Sequence, residues 1–184
     1  MSQYYVAQDV MTEEEVAYIY DYLINVCPWR INSSYMRQDT HDHEYFRHHS
    51  YPHFSAMGPG GMQDPFLTGY FSATMNAVNM RMKESYGFTL PSHKITSINF
   101  NAQRKSDNSK LHTDGDGNQW SVIGFLTPEW EESWGGELQI QENTIKYKPG
   151  TFIAFKSNEL HDAMPVKVDT PFWRISVACF MDGR

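Results

Sequence analysis

The chain has 184 residues, 40% hydrophobic and 20% charged, with 15% aromatic side chains and a formal net charge of -7. That is enough for one domain with a substantial core and an ordinary soluble balance, and the aromatic content suits sheets that carry large side chains. The negative charge and the scatter of Lys and Arg argue against nucleic acid or an anionic membrane as partner.

No stretch approaches the roughly 20 apolar residues that cross a bilayer. "MSQYYVAQDV" lacks the basic-then-apolar pattern of a signal peptide. Cys27 and Cys179 stand far apart without C-x-x-C spacing. Cys179 lies in an apolar run and reads as a small buried hydrophobe. A cytoplasmic protein is expected. Nothing in the sequence fixes its oligomeric state.

The first helix starts at Thr12, where Glu15 completes a capping box and Glu13 and Glu14 favour the positive end of the dipole. Val16, Ile19, Tyr20, Leu23 and Ile24 recur at helical spacing, and Pro28 lies beyond the end. Residues 30 to 62 form a polar segment containing "HDHEYFRHHSYPHF". It reads as a mobile loop or short hairpin over a substrate entrance, with a histidine metal cluster at 41 to 53 as the other reading. A second helix is capped by Asp64 with Pro65 in its first turn and stops at Gly87. Its stripe is Phe66, Leu67, Tyr70, Phe71, Thr74, Val78 and Met82.

From residue 94 the pattern changes to strands: "KITSINFNA", "QWSVIGFLT", "GELQIQ", "GTFIAF" and "PFWRISVACFM", separated by Gly, Pro and Asn turn signals. The expected fold is mainly β with supporting helices, a β-sandwich or jelly roll. The expected division is 1–93, helices and entrance loop, and 94–184, the jelly-roll core, within a single domain.

The last strand alternates Trp173, Ile175, Val177 and Cys179 on one face with Phe172, Arg174, Ser176, Ala178 and Phe180 on the other. A guanidinium in an otherwise apolar face must be paired, by an internal carboxylate or by a carboxylate ligand. The strand at 95–103 carries Ser97, Asn99, Asn101 and Gln103 on one side. That side lines a pocket or faces solvent. Trp120, Trp130, Trp134 and Trp173 read as packing residues. In "LHTDGDGNQW", His112 and Asp114 share one face of an extended chain and can meet one ion. His161, in "SNELHDAMPV", can complete two histidines and a carboxylate with open positions, the arrangement of non-heme Fe(II) oxygenases.

In order along the chain, H-T-D at 112–114, "FLT", "WGGEL", "GTFIAF", "HDAMPV" and "RIS" at 174–176 resemble the 2-oxoglutarate/Fe(II)-dependent dioxygenases, in particular the prolyl-4-hydroxylase-like branch. The resemblance spans about residues 95 to 182. It implies a double-stranded β-helix, with His112, Asp114 and His161 as catalytic iron ligands. Arg174 would grip the distal carboxylate of 2-oxoglutarate, with Ser176 and Asn101 lining the cosubstrate site. It implies Fe(II), 2-oxoglutarate and O2 as cofactor and cosubstrates, with ascorbate as a candidate accessory reductant.

The implied reaction hydroxylates a C–H bond with release of succinate and CO2. The resemblance favours a prolyl residue of a peptide or protein. A free amino acid or other small molecule is the alternative substrate, and a non-catalytic jelly-roll binding module the alternative of another class. One departure stands out: many relatives have, near Phe125, a Tyr that donates to the same distal carboxylate. Phe125 cannot donate, so a second donor must come from elsewhere.

Overall fold

The computed structural model describes residues 3–27, 29–31, 52–57, 64–91, 94–105 and 111–183, with the backbone alone at 30–31 and 52–57. The entrance segment and its histidine-rich stretch lie otherwise outside the described residues.

Helix α1 (Glu13–Asn25) begins as its sequence dictates: the Thr12 amide donates to Glu15 at 2.8 Å and the Glu15 amide donates to the Thr12 hydroxyl at 3.2 Å. Val16, Ile19 and Leu23 are its buried stripe. Helix α2 (Pro65–Tyr86) is capped by Asp64, whose carboxylate accepts from the Leu67 amide and from the Tyr22 hydroxyl of α1. It ends at Gly87 in the left-handed region, φ 67°.

The face buried by α2 is Leu67, Phe71, Thr74, Met75, Val78, Asn79 and Met82. Phe66, expected on that stripe, is instead 38% exposed and meets Tyr22 at 4.8 Å between ring centroids. One helical position from Leu67 turns a side chain by about 100°, out of the core and toward the neighbouring helix.

Two antiparallel sheets carry the rest. The larger runs β1 (Tyr4–Ala7), β8 (Phe152–Lys156), β5 (Gln119–Phe125), β10 (Arg174–Asp182), β4 (Ile95–Gln103), β3 (Pro52–Met57) and β2 (Arg30–Ile31) in spatial order. The smaller runs β7 (Asn143–Ile145), β6 (Leu138–Ile140) and β9 (His161–Ala163). An antiparallel bridge between His112 and His161 lays the His112 segment against the free side of β9. This is the jelly roll expected from the sequence, mainly β with supporting helices.

Strand alternation divides the core in two. On β10, Ile175, Val177, Cys179 and Met181 join the helices and Phe71, Phe100 and Trp120 in the outer cluster. Ala178 and Phe180 face the other way, where Ile123, Phe125, Leu138, Ile140, Tyr147, Ile153 and Phe155 pack between the sheets. Both faces of β10 are therefore covered, and Arg174 and Ser176 belong to the inner one.

The tryptophans pack as expected. Trp120 is buried beside Tyr5 and Phe88, and Trp173 lies against the outer cluster under the Arg104 guanidinium at 4.0 Å. Trp130 lies edge-on to Trp134 and donates from Nε1 to the Gly135 carbonyl at 2.8 Å.

Candidate metal centre

His112 and His161 are held by the backbone before any side chain matters. Their amides and carbonyls exchange two hydrogen bonds, at 3.0 and 2.9 Å. Their imidazole centroids are 4.4 Å apart. Asp114 follows two residues later, and the loop behind it is tied to the buried Ser157. The amides of Asp114 and Gly115 donate to the Ser157 carbonyl, and that of Gly117 donates to its hydroxyl. One ligand atom from each of His112, Asp114 and His161 lies within 4.8 Å of the other two. His161 Nε2 is 3.4 Å and His112 Nε2 3.7 Å from the Asp114 carboxylate.

The surroundings prepare these groups as ligands. His161 Nδ1 is 3.0 Å from the Glu159 carbonyl, which fixes the proton on Nδ1 and leaves Nε2 as the lone-pair donor facing Asp114. Burial holds the His161 imidazole below its ordinary value, opposed by the Asp114 carboxylate and reinforced by His112. It is therefore neutral near pH 7, the form that binds metal. The Ser121 hydroxyl, on the inner face of β5, donates to Asp114 Oδ2 at 2.6 Å and fixes that carboxylate. Two imidazole nitrogens and one carboxylate oxygen fit a ferrous ion, leaving coordination positions for other molecules.

The other end of the inner face is built around Arg174, 1% exposed. Its Nε donates to the Gly136 carbonyl at 2.7 Å and its Nη1 to Gln103 Oε1 at 2.6 Å. Both of these acceptors are neutral and orient the guanidinium. The Phe125 and Tyr147 rings lie 5.8 and 5.1 Å from it. Gln103 stands opposite Arg174 in the β4–β10 register, and Asn101 opposite Ser176. Asn101 is thus a half-buried neighbour of Ser176 on the Arg174 face rather than part of a solvated one.

The same cluster reaches the metal centre, since Phe155 meets the His161 ring at 4.7 Å. Asp162, on β9, feels both ends: burial raises its carboxyl above the usual range while His112 and Arg174 oppose.

All four principal residues named from the sequence come to this inner space. The sequence reading missed Ser121, Gly136 and Ser157, and saw Gln103 only as a strand position. "WGGEL" did advertise Gly136 as a turn, but not that its carbonyl holds a guanidinium.

Residues 95–182 match the model of the 2OG-Fe(II) oxygenase superfamily. No curated protein matches the chain. Among solved structures, a Pseudomonas putida prolyl-4-hydroxylase aligns with a TM-score of 0.67 at 15% identity, covering 99% of this chain and 94% of that one. A Trichoplax adhaerens prolyl hydroxylase, in complex with a hypoxia inducible factor oxygen degradation domain peptide fragment, aligns with a TM-score of 0.64 at 14% identity, covering 100% and 84%. A non-heme alpha ketoglutarate dependent carbocyclase from nogalamycin biosynthesis aligns with a TM-score of 0.66 at 12% identity, covering 98% and 80%. These likenesses establish a shared fold, and no helix among the described residues is long and apolar enough to cross a membrane. With the ordered motifs and the converging side chains in view, the C-terminal half of the chain, residues 95–182, belongs to the 2OG-Fe(II) oxygenase superfamily, whose chemistry uses Fe(II), 2-oxoglutarate and O2.

Proposed function

We propose that this protein hydroxylates a C–H bond of a prolyl residue in a peptide or protein, using Fe(II), 2-oxoglutarate and O2 and releasing succinate and CO2. The observation that carries the reading is the convergence of His112, Asp114 and His161 within 4.8 Å, on an inner face that also holds the buried Arg174. His112, Asp114 and His161 would hold the iron, and Arg174 the distal carboxylate of 2-oxoglutarate, with Ser176 and Asn101 beside it. The bound iron and cosubstrate supply the oxidising power for C–H cleavage.

The chain's own residues do the rest. Glu159 and Ser121 orient the ligands. Gly136 and Gln103 aim the guanidinium, whose planar fork matches a carboxylate. The aromatic side chains of the inner cluster exclude water. Residues 1–184 would act as one domain, with both helices backing the sheet that carries the site. Two free, buried cysteines suit a reducing, cytoplasmic setting.

Prolyl hydroxylases among the structural neighbours support the peptide reading, and the carbocyclase on the same fold supports a small-molecule one. One assay separates them. The protein is incubated with Fe(II), 2-oxoglutarate, ascorbate and air, with either proline-containing peptides or an amino-acid mixture. Succinate release and gain of one oxygen atom by the peptides are expected. Oxygen gain in the amino-acid mixture alone would replace the peptide reading. Succinate formation by His161→Ala would overturn the ligand assignment, and a protein that binds neither iron nor 2-oxoglutarate would be a silent jelly-roll module.

A further inference from the structure

The backbone registers align four inner-face residues across the larger sheet. Phe125 pairs with Ser176 on β10, which pairs with Asn101 on β4. On its other side, the Phe125 amide donates to the Thr151 carbonyl at 3.0 Å, and the Phe125 carbonyl accepts from the Gly150 amide at 2.9 Å. Gly150 and Thr151 thus face Phe125 together in a glycine bulge, φ 72° at Gly150, just past the Gly124–Phe152 pair, which sets Thr151 beside Phe125. Thr151 shares the parity of Ile153 and Phe155, so its side chain is on the inner face.

Thr151 is 2% exposed, and its hydroxyl is fully buried with no hydrogen-bond partner among the described residues. Buried hydroxyls are nearly always bonded, so an orphan of this kind marks an absent partner. Tyr147, stacked on Phe125 at 4.3 Å, is the obvious rival, but its hydroxyl is saturated. It donates to the Ile175 carbonyl at 2.6 Å and accepts from the amides of Leu126 and Thr127.

Resting on the oxygenase reading, we propose that Thr151 donates the second hydrogen bond to the distal carboxylate of 2-oxoglutarate, the one that Phe125 cannot make. Arg174 and Thr151 then flank Phe125, the cation supplying charge and the hydroxyl a directed bond to the same anion.

The test is anaerobic titration of the Fe(II) protein, following the visible charge-transfer band and heat of binding. Wild type is compared with Thr151→Val, which keeps the shape, and Thr151→Ser, which keeps the hydroxyl. The ligands are 2-oxoglutarate and 2-oxobutyrate, which lacks the distal carboxylate. Thr151→Val should bind 2-oxoglutarate about ten-fold or more weakly, as expected for a lost hydrogen bond to a charged group. It should bind 2-oxobutyrate as wild type does, and without iron or ligand it should melt no lower than wild type. Thr151→Ser should recover most of the affinity for 2-oxoglutarate.

Equal 2-oxoglutarate affinity in wild type and Thr151→Val overturns this assignment alone. So does equal weakening for both ligands. Failure of the wild-type Fe(II) protein to bind 2-oxoglutarate overturns the assignment and the oxygenase reading together.

Discussion

Gly136→Ala tests how tightly the Arg174 end of the inner face is built. Gly136 has φ 75°, a region that costs an alanine about 1–2 kcal/mol. A Cβ there would stand 3.0 Å from both Cδ and Nε of Arg174 and 3.1 Å from Cζ2 of Trp130. Neither neighbour yields freely: Arg174 is tied to Gly136 and Gln103, and Trp130 to Gly135. Overpacking of this kind costs about 1–3 kcal/mol. Together the two effects reach about 2–5 kcal/mol, or a melting temperature lowered by about 4–20 °C for a chain of this size. Displacing the guanidinium should also weaken 2-oxoglutarate binding about ten-fold or more, the scale of one charge-assisted hydrogen bond. Differential scanning calorimetry and anaerobic titration at 10 °C, where the variant is still folded, measure the two separately. A variant that melts with wild type refutes the steric argument. One that melts lower yet binds 2-oxoglutarate equally well refutes the link from Gly136 to the orientation of Arg174.

Other changes read other parts of the molecule. Gln103→Glu places a carboxylate opposite Arg174 and should compete with the cosubstrate, lowering 2-oxoglutarate affinity at least ten-fold in the same titration; unchanged affinity would separate Arg174 from that ligand. Ser121→Ala removes the bond to Asp114 Oδ2 and should weaken metal binding about 10–100-fold by calorimetric titration with Co(II). Asp64→Ala loses both a helix cap and the bond from Tyr22, about 2–3 kcal/mol, and should lower the melting temperature by about 4–12 °C. The Cys27 thiol is pushed up to about 11, chiefly by burial and further by Asp64. A thiol reagent at pH 8 should therefore label it about 10²-fold more slowly in the native protein than in denaturant, with native labelling accelerating toward pH 11.

The helices were legible because their instructions are local. Thr12 with Glu15, and Asp64 alone, satisfy terminal amides within four residues of themselves, Pro65 has no amide to satisfy, and Gly87 supplies its own left-handed turn. The long strands were legible because seven to nine residues rich in β-branched and aromatic side chains, bounded by turn signals, are hard to mistake. Of the short ones, "GELQIQ" and "GTFIAF" marked β6 and β8, but β1 and β7 carried no such signal. Strand β1 is four residues whose partner, β8, lies about 150 residues away, with Tyr4 opposite Phe155. Strand β7 follows β6 through a turn at Gln141, which takes φ 52° without being glycine, so no Asn-Gly or Gly-Gly signal announces the hairpin.

The site divides along the same line. His112, Asp114, His161 and Arg174 stood out as candidates because each has an uncommon chemistry for its position and they occur in a recognisable order. The residues that hold them in place have ordinary chemistry in ordinary places. Gln103 matters because it stands opposite Arg174 in the register, and Ser121 because it lies on the β5 face that Asp114 reaches. Register is a relation between distant segments, and no local window of sequence contains it. The departure at Phe125 shows the consequence. The sequence could report that a donor was missing, since that is a property of one residue. Its candidate replacement, Thr151, emerged only when the β5 and β8 backbones fixed which hydroxyl stands beside the vacant place. In this fold the candidate ligands are written in residue types, whereas the groups that hold them in place are written in strand pairing.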